Sequence, residues 1–309
     1  MRILHLSDIH VWSLAFNPLR LFGKRSVGVF ELLRGRARRF RLERLDSVIA
    51  HAAGLKPDHV LITGDLTTTA LPGEFRTARE ALAPLLADPS RATVLPGNHD
   101  RYTRGSVRSR AFEASFGEFA PESVYPWIRR LDGETGILGL DPTRSHLSAK
   151  GLLPSSQMER AVALASESET RPDRMIVACH YPVAAPEAYR RELARKRMVN
   201  AGDVSAWLGT IGPHLFCCGH VHAAWAFNPS EVPGQLCLNS GAPILRDPTG
   251  RHLPGFLEIV LEGPGVTVTH HAWKGEEWAA IPLCSAPGFF RGERAATVDP
   301  IETGVLRPS

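Results

Sequence analysis

Short apolar runs alternate with stretches of helical spacing along most of the chain. Residues 2–8 (RILHLSD), 59–65 (HVLITGD), 92–97 (ATVLPG), 135–141 (TGILGLD), 174–180 (RMIVACH), 214–220 (HLFCCGH) and 235–241 (QLCLNSG) are largely apolar and close on Gly or a polar group. Such runs predict strands buried on both faces. Residues 255–273 predict a hairpin around Glu262-Gly263-Pro264-Gly265. Helical spacing appears in 74–86, after Pro72-Gly73, and in 155–169, which opens with a serine cap. Alternation of strand and helix predicts an α/β architecture with sheets covered by helices. The periodicity is lost from about Gly275, so the chain reads as one domain over 1–275 followed by an irregular extension over 276–309.

The residues that follow the apolar runs change the picture. The first run leads into Ser7-Asp8-Ile9-His10, the second into Gly64-Asp65-Leu66 and the third into Gly97-Asn98-His99-Asp100. Later runs lead into Cys179-His180 and Gly219-His220-Val221-His222. Alone, Asp8 or Asp65 is an ordinary turn or cap residue, and His180 before Tyr181-Pro182 is an ordinary buried histidine. Together they form a set, because ligands of α/β proteins bind at the carboxyl ends of strands. Asp8, His10, Asp65, Asn98, His180, His220 and His222 combine carboxylate, amide and imidazole, a donor set suited to Mn²⁺, Fe or Zn²⁺. Seven groups exceed what one catalytic ion with an open position needs and suit two divalent ions about 3.5–4 Å apart sharing a carboxylate. An extended backbone at Ile9 and Val221 would point each flanking pair to one side. His5 and His59, inside strands, read as structural, and nothing is assigned to His270 and His271.

The ordered blocks DxH, GD, GNHD, H and GHxH between Asp8 and His222 resemble the calcineurin-like metallophosphoesterase superfamily. The resemblance implies a sandwich of two mixed β-sheets flanked by α-helices. It implies that Asp8, His10, Asp65 and His222 hold one metal, and Asp65, Asn98, His180 and His220 the other, with Asp65 bridging. It further implies that His99 faces the substrate, as general acid or stabiliser of the departing oxygen, with Asp100 orienting its ring and raising its pKa, and that hydroxide between the metals attacks phosphorus. Arg101 and Tyr102, next in the chain, read either as substrate contacts or as ordinary neighbours of an acidic cluster.

Composition narrows the class further. Hydrophobic residues make up 43% and charged residues 22%, the balance of a soluble globular chain. Five cysteines without a CxxC pair predict reduced thiols and a cytoplasmic setting. The net charge of +4 predicts no nucleic-acid partner, since it is local. Residues 18–45 carry nine basic and two acidic side chains, so the remainder is net acidic. In this basic apolar insertion, 17–45, bulky apolar residues are interspersed with the cations. It reads either as a helical cover with a solvated basic face or as a peripheral contact with an anionic membrane surface. The segment NPLRLFGKR and the later TGDLTTT resemble bacterial phosphoesterases of the superfamily that include UDP-2,3-diacylglucosamine pyrophosphatases. The expected function is therefore a two-metal phosphoesterase acting on a phosphodiester or pyrophosphate, such as a lipid-linked nucleotide. A cyclic-nucleotide phosphodiesterase and a non-catalytic scaffold with the same fold are the alternatives.

Overall fold

The computed structural model describes residues 1–13, 39–146, 148–167, 169 and 171–298. Most of the basic insertion expected at 17–45 lies outside the described residues. The strands are β1 (Arg2–Leu6), β2 (His59–Ile62), β3 (Ala92–Val94), β4 (Trp127–Arg130), β5 (Thr135–Gly139), β6 (Arg174–Ala178) and β7 (His214–Cys218). They continue as β8 (Ala224–Phe227), β9 (Gln235–Ser240), β10 (Gly255–Glu262), β11 (Gly265–Trp273), β12 (Trp278–Ala286) and β13 (Ala296–Thr297). The described α-helices are α1 (Leu45–Gly54), α2 (Pro72–Leu82), α3 (Arg104–Arg108), α4 (Ala111–Phe116), α5 (Ser155–Ser166), α6 (Glu187–Lys196) and α7 (Ala201–Leu208). One sheet has the order β13-β12-β11-β10-β1-β2-β3 and the other β4-β5-β6-β7-β9-β8. Both are mixed: β1, β2 and β3 run parallel, as do β5, β6, β7 and β9, with antiparallel strands outside them.

Side chains alternate across each strand, so a strand between two layers feeds two cores. Ile3 of β1 joins a core between the sheets, where it meets Leu61, Ile176, Leu215 and Leu257. Leu4 and Leu6 face the opposite way, into a core under α1, α2 and α4 with Val48, Phe75 and Phe116. In β6 and β7, Ile176, Ala178, Leu215 and Cys217 face the inter-sheet core. Their neighbours Met175, Val177, Phe216 and Cys218 pack under α5, α6 and α7. This double burial is why the runs are largely apolar on both faces and do not alternate with polar residues. All five cysteines are free and buried. Among the described residues, no helix is long and apolar enough to cross a membrane.

The chain beyond Gly275 differs from expectation. Instead of an irregular extension it supplies β12, paired antiparallel with β11 through partners such as His270↔Ile281 and Val268↔Cys284. Ile281, Leu283 and Ala286 are buried there, but Pro282 and exposed Ser285 break the apolar run, which hid the strand from pattern reading. The serine cap is also corrected: Pro154 is the N-cap of α5, without a side-chain cap bond, and Ser155 is the first helical residue.

Buried histidines outside the strand-end cluster make stability depend on pH. His59 (Nε2 to Thr93 Oγ1, 2.8 Å) is held down to about 3, chiefly by burial. His270, whose buried Nε2 has no hydrogen-bond partner, is likewise lowered to about 3 by burial and then by His271. A histidine with a depressed folded pKa is neutral when folded and protonates on unfolding. Its stabilising contribution is complete above the unfolded value of 6.5 and is lost as pH falls from there toward about 3. At pH 5 each such group costs about 2 kcal/mol. His270→Leu should therefore lose about 2 kcal/mol less unfolding free energy than wild type between pH 7.5 and pH 5, in chelated protein unfolded by guanidinium. Parallel pH profiles for the two proteins would show that His270 titrates normally.

Candidate metal centre

The parallel strands of both sheets end at one edge, and the loops after them carry the polar blocks. Asp8 and His10 follow β1, Asp65 follows β2, Asn98 to Asp100 follow β3, His180 follows β6, and His220 and His222 follow β7. The backbone at these turns is not extended. Asp8 (φ 54°), His10 (52°), Asp65 (53°), His220 (71°) and His222 (65°) are all left-handed. Such conformations cost non-glycine residues on the order of 1–3 kcal/mol each and persist only where the surroundings fix them. Here main-chain bonds do so: Asp8 N–H to Gly64 C=O, His10 N–H to Asp65 C=O and Gly219 N–H to His180 C=O. Ile9 and Val221 point into the cores instead, so each flanking pair still converges, through twisted rather than extended backbone.

All seven expected ligands come together. Asp8 Oδ1 lies 3.2 Å from His222 Nε2 and 3.7 Å from His10 Nε2. Asp65 Oδ2 lies 3.6 Å from His10 Nε2 and 3.3 Å from His180 Nε2, between the two groups of imidazoles. His180 Nε2 is also 3.2 Å from both Asn98 Oδ1 and His220 Nδ1. Each carboxylate has one oxygen fixed by a main-chain amide: His220 N–H donates to Asp8 Oδ2 (2.8 Å) and His99 N–H to Asp65 Oδ1 (2.8 Å). The other oxygen of each faces imidazole nitrogens.

Backbone carbonyls fix the tautomers. His180 Nδ1–H donates to Thr63 C=O (2.7 Å), which leaves Nε2 as a lone pair. His220 Nε2–H donates to Lys196 C=O (3.3 Å), which leaves Nδ1 bare. In the neutral rings two lone pairs thus face each other at 3.2 Å. Asp8 Oδ1 and His10 Nδ1 are buried without a hydrogen-bond partner. A cation between such donors removes the repulsion and satisfies the orphaned oxygen, so the residues fit a metal. Three sets have donor atoms within 4.8 Å of one another: Asp8, His10 and His222; Asp65, His180 and His220; and His10, Asp65 and His99.

The charges agree. Burial works to raise the Asp8 carboxyl, but His222, His10 and His180 hold it well below the usual range, and His180, His99 and His10 do the same to Asp65. Burial alone would depress His180, yet Asp65 and then Asp8 push it up to about 9. His220 is held well below its ordinary value by burial, His180 and Lys196.

The structure corrects the role expected of Asp100. Its carboxylate accepts from Gly97 N–H (2.9 Å), Leu66 N–H (3.3 Å) and both Thr67 N–H and Oγ1–H (2.9 and 3.0 Å). It ties the Asp65 loop to the Asn98 loop and does not set the His99 ring. That ring is oriented by Thr68 C=O, 2.6 Å from Nδ1, and by Tyr102, stacked at 5.4 Å. Burial and the Asp65 charge raise Asp100 to about 7, against its hydrogen bonds from Gly97 and Thr67. Arg101 is not a solvated neighbour of the cluster, because it is largely buried and bridges Glu113 (2.8 Å) and Asp141 (2.9 Å).

Two aromatic residues escaped sequence reading. Tyr181 packs its ring 4.5 Å from that of His220, and its position next to His180 was a usable signal. Phe40 lies 4.5 Å from the His10 ring and 5.7 Å from that of His222, fixed by Trp12 Nε1–H to Phe40 C=O (3.1 Å). Nothing in the linear pattern marked it.

Glycines let the loops meet. A Cβ on Gly97 would collide with Asp65 N and Oδ1, and one on Gly219 with Ser7 Oγ and Asp8 Oδ2. Gly219→Ala should displace the Asp8 carboxylate and weaken metal binding by about 10–100-fold, while the far-ultraviolet dichroism stays native. Titration with Mn²⁺ followed by calorimetry checks this, and unchanged affinity would mean that the loop yields.

The chain belongs to the calcineurin-like phosphoesterase family, whose model matches residues 1–224. It is 26% identical over 242 residues to a protein of Arcobacter nitrofigilis described as a probable glycerophosphodiester phosphodiesterase GpdQ, covering 75% of this chain and 80% of that one. The fold is shared with a dimetal phosphatase from Danio rerio at 15% identity and a TM-score of 0.54, covering 91% of this chain and 98% of that one. It is also shared with the purple acid phosphatase PPD1 from yellow lupin seeds at 13% identity and a TM-score of 0.56, covering 90% of this chain and 52% of that one.

Proposed function

We propose that the protein is a two-metal phosphodiesterase in which Asp8, His10, Asp65 and His222 hold one ion and Asp65, Asn98, His180 and His220 the other. The observation that carries this reading is Asp65 Oδ2, directed at His10 and His180 from between the two sets. Divalent cations bound there, with Mn²⁺ the first choice, would supply charge neutralisation at the phosphoryl oxygens and a lowered pKa of water. The chain's own contribution is geometric. Asp65 and Asp8 each turn one oxygen toward the imidazoles, and main-chain carbonyls hold His180 Nδ1–H and His220 Nε2–H, so that the neutral rings offer Nε2 and Nδ1 as lone pairs to a cation. His99, with Nδ1–H on Thr68 C=O, turns Nε2 toward the substrate side, where its protonated form donates to the departing oxygen. Asp100 positions both loops.

Phosphodiesters are the preferred substrate class, in keeping with the described activity of the Arcobacter relative. Beside that class, a lipid-linked nucleotide pyrophosphate is the finer proposal, supported by the basic and apolar composition of 17–45, which would bring a cytoplasmic protein to an anionic membrane. The test is a panel with Mn²⁺ present: bis(p-nitrophenyl) phosphate, glycerophosphodiesters, cyclic nucleotides and lipid-linked nucleotide pyrophosphates, beside sedimentation with anionic liposomes. Turnover of diesters supports the enzyme. Two bound ions without turnover of any of them would make the protein a scaffold, and preference for cyclic nucleotides without liposome binding would remove the lipid reading.

A further inference from the structure

The segment that places Phe40 against the metal ligands also assembles arginines that have no reason to be close for stability. Phe40 forms an isolated antiparallel bridge with Leu245. Arg41 N–H donates to Ile244 C=O and Arg246 N–H to Arg39 C=O, which sets Arg39 directly across from Arg246. Like charges at directly opposed positions are destabilising. Arg44 donates from Nη1 to Leu245 C=O (3.4 Å), and its guanidinium is depressed by burial, then by Arg41, and further by Arg246, with only Glu43 acting the other way. The nearby acids are occupied. Glu43 pairs with Arg41 (3.0 Å), and Asp247 accepts from Thr249 and from His252 N–H. Arg39 and Arg246 are exposed and have no carboxylate partner among the described residues.

This cationic step borders the metal centre. Phe40, between Arg39 and Arg41, touches the rings of His10 and His222, and His252, at the end of the Arg246 loop, donates from Nδ1 to His222 C=O (3.2 Å). Guanidinium groups bind phosphate oxygens through paired, charge-assisted hydrogen bonds. A dianion on the step would relieve the mutual repulsion that the folded chain otherwise carries.

We propose that Arg39 and Arg246, with Arg44 behind them, form a subsite for a second phosphate of the substrate, separate from the one at the metals. The inference rests on the phosphodiesterase reading and gives its substrate class: molecules with two phosphate groups, of which one is cleaved. Nothing in the argument uses the residues before Arg39.

Binding can be measured without turnover. On Mn²⁺-loaded protein, calorimetry should find thymidine 3′,5′-bisphosphate bound about tenfold more tightly than thymidine 5′-monophosphate, with the preference shrinking as salt is raised. In Arg39→Gln/Arg246→Gln the ratio should fall to about one, and the melting temperature should not drop, because repulsion has been removed. Equal affinities in wild type, or a ratio that survives in the double variant, would overturn the subsite. So would arginine-dependent retention on anionic vesicles with no preference for the bisphosphate, which would make the step a membrane contact. Hydrolysis of bis(p-nitrophenyl) phosphate by the same preparation separates these results from failure of the phosphodiesterase reading itself.

Discussion

Replacing Asp65 should abolish turnover and cost the protein at least one of its two ions. Its Oδ1 accepts the His99 amide, while Oδ2 faces His10 on one side and His180 on the other. No other carboxylate oxygen among the described residues reaches both sets. On the proposed reading, in which Asp65 is shared by both ions and its Oδ1 also holds the His99 loop, its loss should lower kcat/KM by roughly 10³-fold or more, about 4 kcal/mol of transition-state stabilisation. Asp65 is left-handed at φ 53°, a conformation that alanine adopts poorly and asparagine tolerates. Asp65→Ala therefore combines backbone strain with loss of charge, whereas Asp65→Asn keeps the turn and removes the charge alone. Both variants should bind fewer than two equivalents of Mn²⁺ by elemental analysis after desalting. An Asn variant with two retained ions and wild-type turnover would show that the carboxylate does not bridge.

The site was legible because its chemistry sits where apolar strands stop, and a buried strand end leaves a short, strongly marked polar word. Asp8, His10, Asp65, Asn98, His180, His220 and His222 each lie within a few residues of such an end. What the words do not encode is backbone handedness. Asp8 and His10 flank Ile9 as an extended segment would, yet both are left-handed, held by carbonyls from the next strand's loop. The role of Asp100 was misread for a related reason. Adjacency to His99 suggested a pair, but consecutive side chains of a tight turn diverge, and the buried carboxylate satisfies three amides instead. Phe40 was unreadable because its partner Leu245 is remote in sequence and its effect on His10 is tertiary. The same holds for β12, whose pairing with β11 outweighs a weak apolar pattern, and for β4 and β8, short strands at the edge of their sheet. Arg246 belongs to this class too: only the bridge to the Arg39 segment brings it beside the other arginines.

His99→Ala should leave both ions in place and lower turnover by roughly 10²–10⁴-fold, the range associated with a positioned proton donor. The geometry motivates this division. Nδ1–H is committed to Thr68 C=O and the ring is stacked on Tyr102, so a proton given to the leaving group would come from Nε2. The same nitrogen could instead join His10 and Asp65, since those three donors also lie close enough to hold a cation. Leaving-group dependence separates the two roles. A proton donor matters most when the departing alkoxide is a poor leaving group, so the variant's deficit should be large for an alkyl diester and much smaller for a p-nitrophenyl ester. A metal ligand would be missed about equally with both substrates, and its loss would lower the metal content. His99→Gln retains a hydrogen-bonding side chain but cannot deliver a proton at neutral pH, so it should behave like the Ala variant on alkyl diesters. A small, uniform deficit in both variants, with metal content reduced, would reassign His99 from the leaving group to the metal centre.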